Sequence, residues 1–145
     1  MSLLVVGSIA LDSVETPFGS TADALGGSAV FFSYAAALLH PVWLVGVVGQ
    51  DFPPVELQRL TERGVDLSGV EQVAGESFRW KGKYSYDLQN RETLDTRLGV
   101  FAQFKPRIPD RFRDARFVFS GTSIPSCSSA YWTRFVSQRS SPATP

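Results

Sequence analysis

Apolar residues follow two kinds of pattern along the chain. In the first they run almost without interruption: Leu3 to Ile9 (LLVVGSI), Val42 to Val48 (VWLVGVV) and Phe117 to Phe119 (FVF). Runs with no polar alternation fit strands of a parallel sheet that is covered on both faces. In the second they recur at fixed spacing. Phe31, Tyr34, Ala35 and Leu38 stand at i, i+3, i+4 and i+7, which predicts the buried face of a helix over residues 28–39. His40-Pro41 stops that helix, because proline disfavours the α conformation in the residue before it. A second helix is predicted over residues 54–63. Pro53 and Pro54 suit its first turn, Leu57 and Leu60 its apolar side, and Gly64 the position just past its end. Val65 to Val73 returns as a strand or an extended link.

From Phe78 the period shortens to two. Phe78, Trp80, Gly82, Tyr84, Tyr86 and Leu88 alternate with Arg79, Lys81, Lys83, Ser85 and Asp87. That predicts a strand with one aromatic and one charged face. Gln89-Asn90-Arg91 is the expected turn, and Leu94, Thr96, Leu98 and Val100 alternate back. An isolated hairpin is marginal in water, so its aromatic face needs a cover from its own domain or from a second copy of the chain. The basic stripe reads as a solvated face. Pro106 to Arg116 is polar and linker-like.

Candidate chemistry gathers before the first predicted helix. Gly26 and Gly27 allow unusual backbone angles and close approach of a ligand. Ser28 can cap the first turn through its hydroxyl. A helix N-terminus there would offer free N–H groups to a polar or anionic ligand; a tight turn accounts for the same residues. Gly46 and Gly49 break the end of the second strand, ahead of Asp51. Asp12 lies just past the carboxyl end of the first predicted strand, where ligands of open α/β sheets bind. A carboxylate there can accept hydrogen bonds from two neighbouring hydroxyls; capping a turn or facing solvent is the alternative.

Composition narrows the choice. The chain has 145 residues, 43% hydrophobic and 19% charged, with formal net charge +0. These values suit one globular domain and argue against a nucleic-acid partner. No apolar run approaches the ~20 residues needed to span a bilayer, and no basic residue precedes Leu3, so no membrane segment or signal peptide is expected and the expected compartment is the cytoplasm. One cysteine, Cys127, and one histidine, His40, exclude an internal disulfide and make a metal site unexpected.

The residues resemble a family. VVGSIALD, LGGSAVFFSYAAALL, LVGVVGQDF, ERGVDLSGV and FRWKGKYSYDLQNRETLDTRLGVFAQFKP occur in the order seen in the N-terminal half of PfkB-type carbohydrate kinases, the ribokinase-like superfamily. The resemblance covers about Ser2 to Phe119. It implies an α/β, Rossmann-like fold, a mostly parallel sheet flanked by helices with a projecting β-sheet lid (strands about 11–24 and 76–103), here truncated. It also implies phosphoryl transfer from ATP, with Mg2+, to a sugar or sugar-like hydroxyl. Asp12, Gly26, Gly27 and Ser28 are the implied substrate-binding positions. Phe31 departs from the family: it stands where ribokinase-like members carry an asparagine, so a ribose-type hydrogen bond is lost. No G-A-G-D string occurs, nor a G-x-x-x-x-G-K-[ST] string. The family's catalytic base, anion hole and nucleotide pocket are therefore expected beyond this chain, which is expected to be inactive and cofactor-free by itself. The alternative is a non-catalytic sugar-binding or dimerisation module, with a homodimer formed through the lid.

The last 26 positions change character. All 14 acidic residues precede Ser120, while serine and proline accumulate after it. Residues 120–145 are expected to be out of frame and poorly ordered. One consistent codon choice, read two bases later, gives GNIHPELQLRVLDQVRQPEVVACDT, which regains acids and a helical stretch. The downstream DNA in that frame is expected to encode the rest of a kinase with its G-A-G-D turn; gene sequence lacking it contradicts the shift.

Overall fold

The computed structural model describes residues 2–121. Two four-stranded sheets meet at one corner. The central sheet holds β1 (Leu3–Val6), β4 (Val42–Gly49), β5 (Val65–Val73) and β8 (Phe117–Ser120) in the order β5-β4-β1-β8, all parallel. The second sheet, the lid, holds β2 (Ala10–Thr16), β3 (Gly19–Gly26), β6 (Phe78–Tyr84) and β7 (Arg91–Arg97) in the order β3-β2-β6-β7. In the lid β2 pairs antiparallel with β3 and parallel with β6, and β6 pairs antiparallel with β7.

The apolar runs of β1 and β4 have the predicted cause: both faces of the central sheet are covered there. The third run, in β8, departs from the expected burial: none of its residues is fully buried and Phe117 is exposed, because β8 is the edge strand of the described sheet. On one face α1 (Ser28–Ala36) and α2 (Pro54–Glu62) bury Val5, Val42, Leu44 and Val48 together with Val30 and Leu60. On the other, no α-helix is present among the described residues. A segment with two 3-10 turns, Gly99–Gln103 and Asp110–Phe112, takes the place of one. Its Phe101, Phe104, Phe112 and Ala115 pack on Leu4, Val6, Val45 and Val47. The stretch from Pro106 to Arg116 is thus not a linker: Phe112 is fully buried and stacks on Trp43 with ring centres 4.9 Å apart.

Several local expectations are corrected. The buried face of α1 is Ala29, Val30 and Ser33, whereas Phe31 and Leu38 are exposed. The helix rests on the sheet through its smallest residues, which allows close approach and turns Phe31 outward. Gly46 does not end a strand. It lies inside β4, where a methyl group would press within 2.6 Å of Ile9 Cδ1. The long hairpin is shorter than its alternation suggests. Ser85 and Asp87 gather the turn through side-chain hydrogen bonds, Leu88 adopts φ 58°, and Leu98 to Val100 leave the strand for the 3-10 turn. Strand β8 runs to Ser120, and Gly121 N–H donates to the Val6 carbonyl at 2.8 Å. The remaining residues of the stretch expected to be out of frame and poorly ordered, 122–145, lie outside the described residues.

Replacing Phe112 by alanine empties the centre of the second core and should cost about 3–5 kcal/mol. Phe18→Ala, at a residue 67% exposed, should change stability by no more than about 0.5 kcal/mol. Urea unfolding midpoints of the two variants check the contrast.

Candidate functional site

The site begins where β1 ends. Ser8 receives the first turn of α1: its hydroxyl accepts from Ser28 N–H at 3.0 Å and its carbonyl from Ala29 N–H at 3.2 Å. Gly27 is the N-cap residue, with φ 101°. A side chain there would be strained, and its Cβ would strike the Ser8 carbonyl. Ser28 therefore does not cap the helix. It is the first helical residue, and its hydroxyl lies 3.1 Å from that of Ser8. The N–H groups of Ser28 and Ala29 are occupied inside the protein, so the helix start is not the open anion site expected from the glycine pair.

Asp12 is not past a strand end but inside β2, the first lid strand. Alternation puts Ala10, Asp12 and Val14 on one face of the lid, in register with Phe78, Trp80 and Gly82 of β6. These residues, without Gly82, line a cleft of about 400 Å³ that Gly27, Ser28, Phe31, Tyr84 and Arg91 complete. Gly26 stands beside the cleft, and any side chain there would collide with the Asp12 carboxylate. The structure thus brings Asp12, Gly27 and Ser28 to one concavity and leaves Gly26 as the bare backbone behind the carboxylate. Asp12 is half-buried, and burial raises its pKa above the ordinary 3.8. No hydrogen bond or ion pair engages its carboxylate among the described residues.

The walls of the cleft come from residues whose local pattern points elsewhere. Alternation alone makes Trp80 and Tyr84 structural aromatics, and helical spacing alone puts Phe31 in the core. The Trp80 indole lies across Gly82, where a side chain would collide with it, and the Arg91 guanidinium sits 5.1 Å from the ring centre. The signal for these walls is the matched alternation of residues 10–14 and 78–84, which becomes readable once the two strands are paired. Of the rest of the aromatic face, Phe78 is covered inside the chain by stacking on Phe101, whereas Tyr86 meets Phe18 at the surface and both remain exposed.

The charged face is not simply solvated. Arg79 pairs with Asp51 at 2.8 Å and with Asp23, and Lys81 pairs with Glu15 at 2.6 Å. Partial burial works to raise the Asp51 pKa, but hydrogen bonds from Arg79 and Ser77 outweigh it and hold the value below 3.8. A second cleft of about 510 Å³ lies beside Gly75 and Gly99. Its Glu71 is 3.9 Å from Arg107, and its Glu76, which has no side-chain partner among the described residues, is exposed where Asp12 is half-buried.

No protein-family model matches the chain. A cytidine kinase of Thermococcus kodakarensis is 31% identical over 127 residues, 86% of this chain and 44% of that protein. The Burkholderia thailandensis nucleoside kinase, solved in complex with inosine, superposes with a TM-score of 0.61 at 25% identity, over 70% of this chain and 36% of that one. A ribokinase from Cryptococcus neoformans, in complex with ADP, gives 0.66 at 19% identity, over 81% and 41%, a likeness of fold alone. The chain thus has the ribokinase-like α/β fold, and it is similar to the N-terminal portion of ribokinase-family sugar and nucleoside kinases. The chain spans less than half the length of the relatives it matches.

The raised pKa of Asp12 carries a sign. A carboxyl that ionises less readily when folded stabilises the fold below its unfolded pKa, and this contribution is lost as pH rises through the folded value. Asp12→Asn should therefore raise the melting temperature at pH 7, with the gain vanishing below about pH 4. Melting curves across pH 3–8 check this; a loss at pH 7 contradicts it.

Proposed function

We propose that the chain is the acceptor-binding portion of a kinase that transfers the ATP γ-phosphate to a hydroxyl of a sugar or nucleoside. The observation that carries this reading is the Asp12 carboxylate, unpartnered among the described residues, in a cleft walled by aromatics. An ionised carboxylate only accepts hydrogen bonds, so it suits a pair of neighbouring hydroxyls. Gly27 keeps the cleft open at the helix start, and Ser28 adds a polar atom at its rim. Phe31, Trp80 and Tyr84 supply flat apolar surfaces on which a sugar ring or a base can lie. Phe31 in place of a polar residue suits a base better than a free sugar. The cytidine and nucleoside kinases among the similar proteins support the same choice.

ATP with Mg2+ is the donor we assign to the whole protein. Phosphoryl transfer rests on positioning and on neutralising charge around the transferred group. The part assigned to these residues is to bind and orient the acceptor, with the lid excluding water. The sequence holds neither G-A-G-D nor a Walker-type loop, so the chain is assigned binding rather than turnover. Cytoplasmic placement goes with this reading; no described helix is long and apolar enough to cross a membrane.

A second reading, assembly through the lid, is favoured by β7. All seven of its residues are exposed, Leu94 among them, and it is an edge strand of the lid. Unpaired strand edges invite pairing with a second copy. Sedimentation at micromolar concentration should then give a homodimer, and a monomer contradicts that arrangement.

Cytidine or ribose should raise the melting temperature of the chain, and Asp12→Ala should abolish the rise. Ligand at 100 times its dissociation constant stabilises by about 2.7 kcal/mol. If neither compound shifts the wild-type chain, the binding reading fails.

A further inference from the structure

A polar network outside the cleft ties the two sheets together. Asp51 follows the end of β4, in the central sheet. One of its oxygens accepts from the Ser77 N–H at 2.8 Å and from the Ser77 hydroxyl at 2.7 Å. Its other oxygen accepts from Arg79 Nη2 at 2.8 Å. Ser77 is fully buried, and its hydroxyl oxygen also accepts from Gly49 N–H at 2.8 Å. Arg79 continues the network to Asp23 of β3, on the far side of β2. Asp23 adopts φ 51° at a register shift between β2 and β3, a bulge that re-aims its side chain.

We infer that Asp51 is a positioning residue: it fixes the angle of the lid on the central sheet, and so holds Asp12 and the Trp80 wall, which share the lid, against the start of α1 at Gly27, Ser28 and Phe31. The link runs through one strand. Arg79 and Trp80 are neighbours in β6, so their side chains leave opposite faces of the lid. Arg79 goes to the latch, and Trp80 goes to the cleft in register with Asp12. Because β6 is paired with β2, any rotation of the lid about the root of β6 carries Trp80 and Asp12 together relative to Gly27, Ser28 and Phe31 at the start of α1. Asp51 grips that root at Ser77 and the next outward-facing residue at Arg79. The side chains of Arg79 and Asp51 are 28% and 29% exposed. A pair so open to solvent adds little net stability, so its consequence is orientation rather than survival of the fold. The importance of that orientation for binding rests on the acceptor-cleft reading above; the latch itself does not.

The test compares Asp51→Asn, Arg79→Met and the double variant of the full chain with the wild type. The readouts are the indole N–H resonances and amide exchange. Trp80→Phe assigns the Trp80 signal, and Trp43, stacked on Phe112 in the core, is the internal control. Each single variant should shift or broaden the Trp80 indole resonance and leave that of Trp43 in place. Amides of Leu11 to Val14 and Arg79 to Lys83 should exchange about tenfold faster, while those of Val5 and Leu44 keep their protection. The double variant should fall short of the sum of the two single effects, because both break the shared Arg79–Asp51 link; strictly additive effects overturn the inference. An unmoved Trp80 signal overturns the inference. Equal loss of protection in both sheets also overturns it, since that is the mark of a merely structural residue. In the same samples, cytidine affinity should fall about tenfold in Asp51→Asn. A wild type that binds neither cytidine nor ribose counts against the acceptor cleft, while the resonance and exchange results still decide the latch.

Discussion

Everything near the cleft depends on how the end of β1 meets the start of α1. Ser8 receives two helix N–H groups at once, one on its hydroxyl and one on its carbonyl. Those donors would otherwise lack intrahelical partners. The contact forces Gly27 into a conformation that only glycine adopts freely, and it brings backbone to backbone. Once it forms, the chain leaves the central sheet after Ser8 to enter β2 at Ala10, and comes back from β3 at Gly26 to the start of α1. The lid therefore grows from this junction, and Asp12 is carried to a place beside bare glycine backbone. The absence of a side chain at Gly26 makes room for a carboxylate, which then sits in a partly buried setting that disfavours its charge. A destabilising placement of this kind is common where a residue is held for binding rather than for the fold.

Much of the fold is legible in the pattern of the chain. Uninterrupted runs at Leu3 and Val42 mark strands buried on both faces, and period two from Phe78 marks a strand of another sheet. The first helix lies where the spacing places it but buries a different face. Phe31, Tyr34, Ala35 and Leu38 fit the helical period, but Ala29, Val30 and Ser33 fit it too. The sheet selects the smaller set because a short helix joined tightly to Ser8 must lie close. Spacing alone cannot make that choice. The polar stretch between Pro106 and Arg116 misleads for a related reason. Its apolar residues are few, yet one fully buried phenylalanine anchors the segment.

The candidate site is legible in part. Asp12, Gly27 and Ser28 do meet, but for reasons the local sequence does not hold. The expected geometry is a strand end facing an open helix N-terminus. The structure instead gives a strand face, a helix start already occupied by Ser8, and walls from residues far along the chain. Trp80 and Arg91 join Asp12 only because β2 pairs with β6 in parallel. Non-local pairing of this kind has no local signature. The same limit hides the role of Arg79, which on its own strand is one member of a basic stripe and in the fold reaches Asp23 and Asp51.

The central claim is that one acceptor molecule sits between Asp12, the helix start at Gly27 and the Trp80 wall. Its most direct test is a titration of the isotope-labelled chain with cytidine, followed by amide and indole chemical shifts. Saturable shifts should gather at Asp12, Gly27, Phe31 and the Trp80 indole. Shifts gathered instead around Gly75, Gly99 and Arg107 at the second cleft, or none at all, would contradict the account.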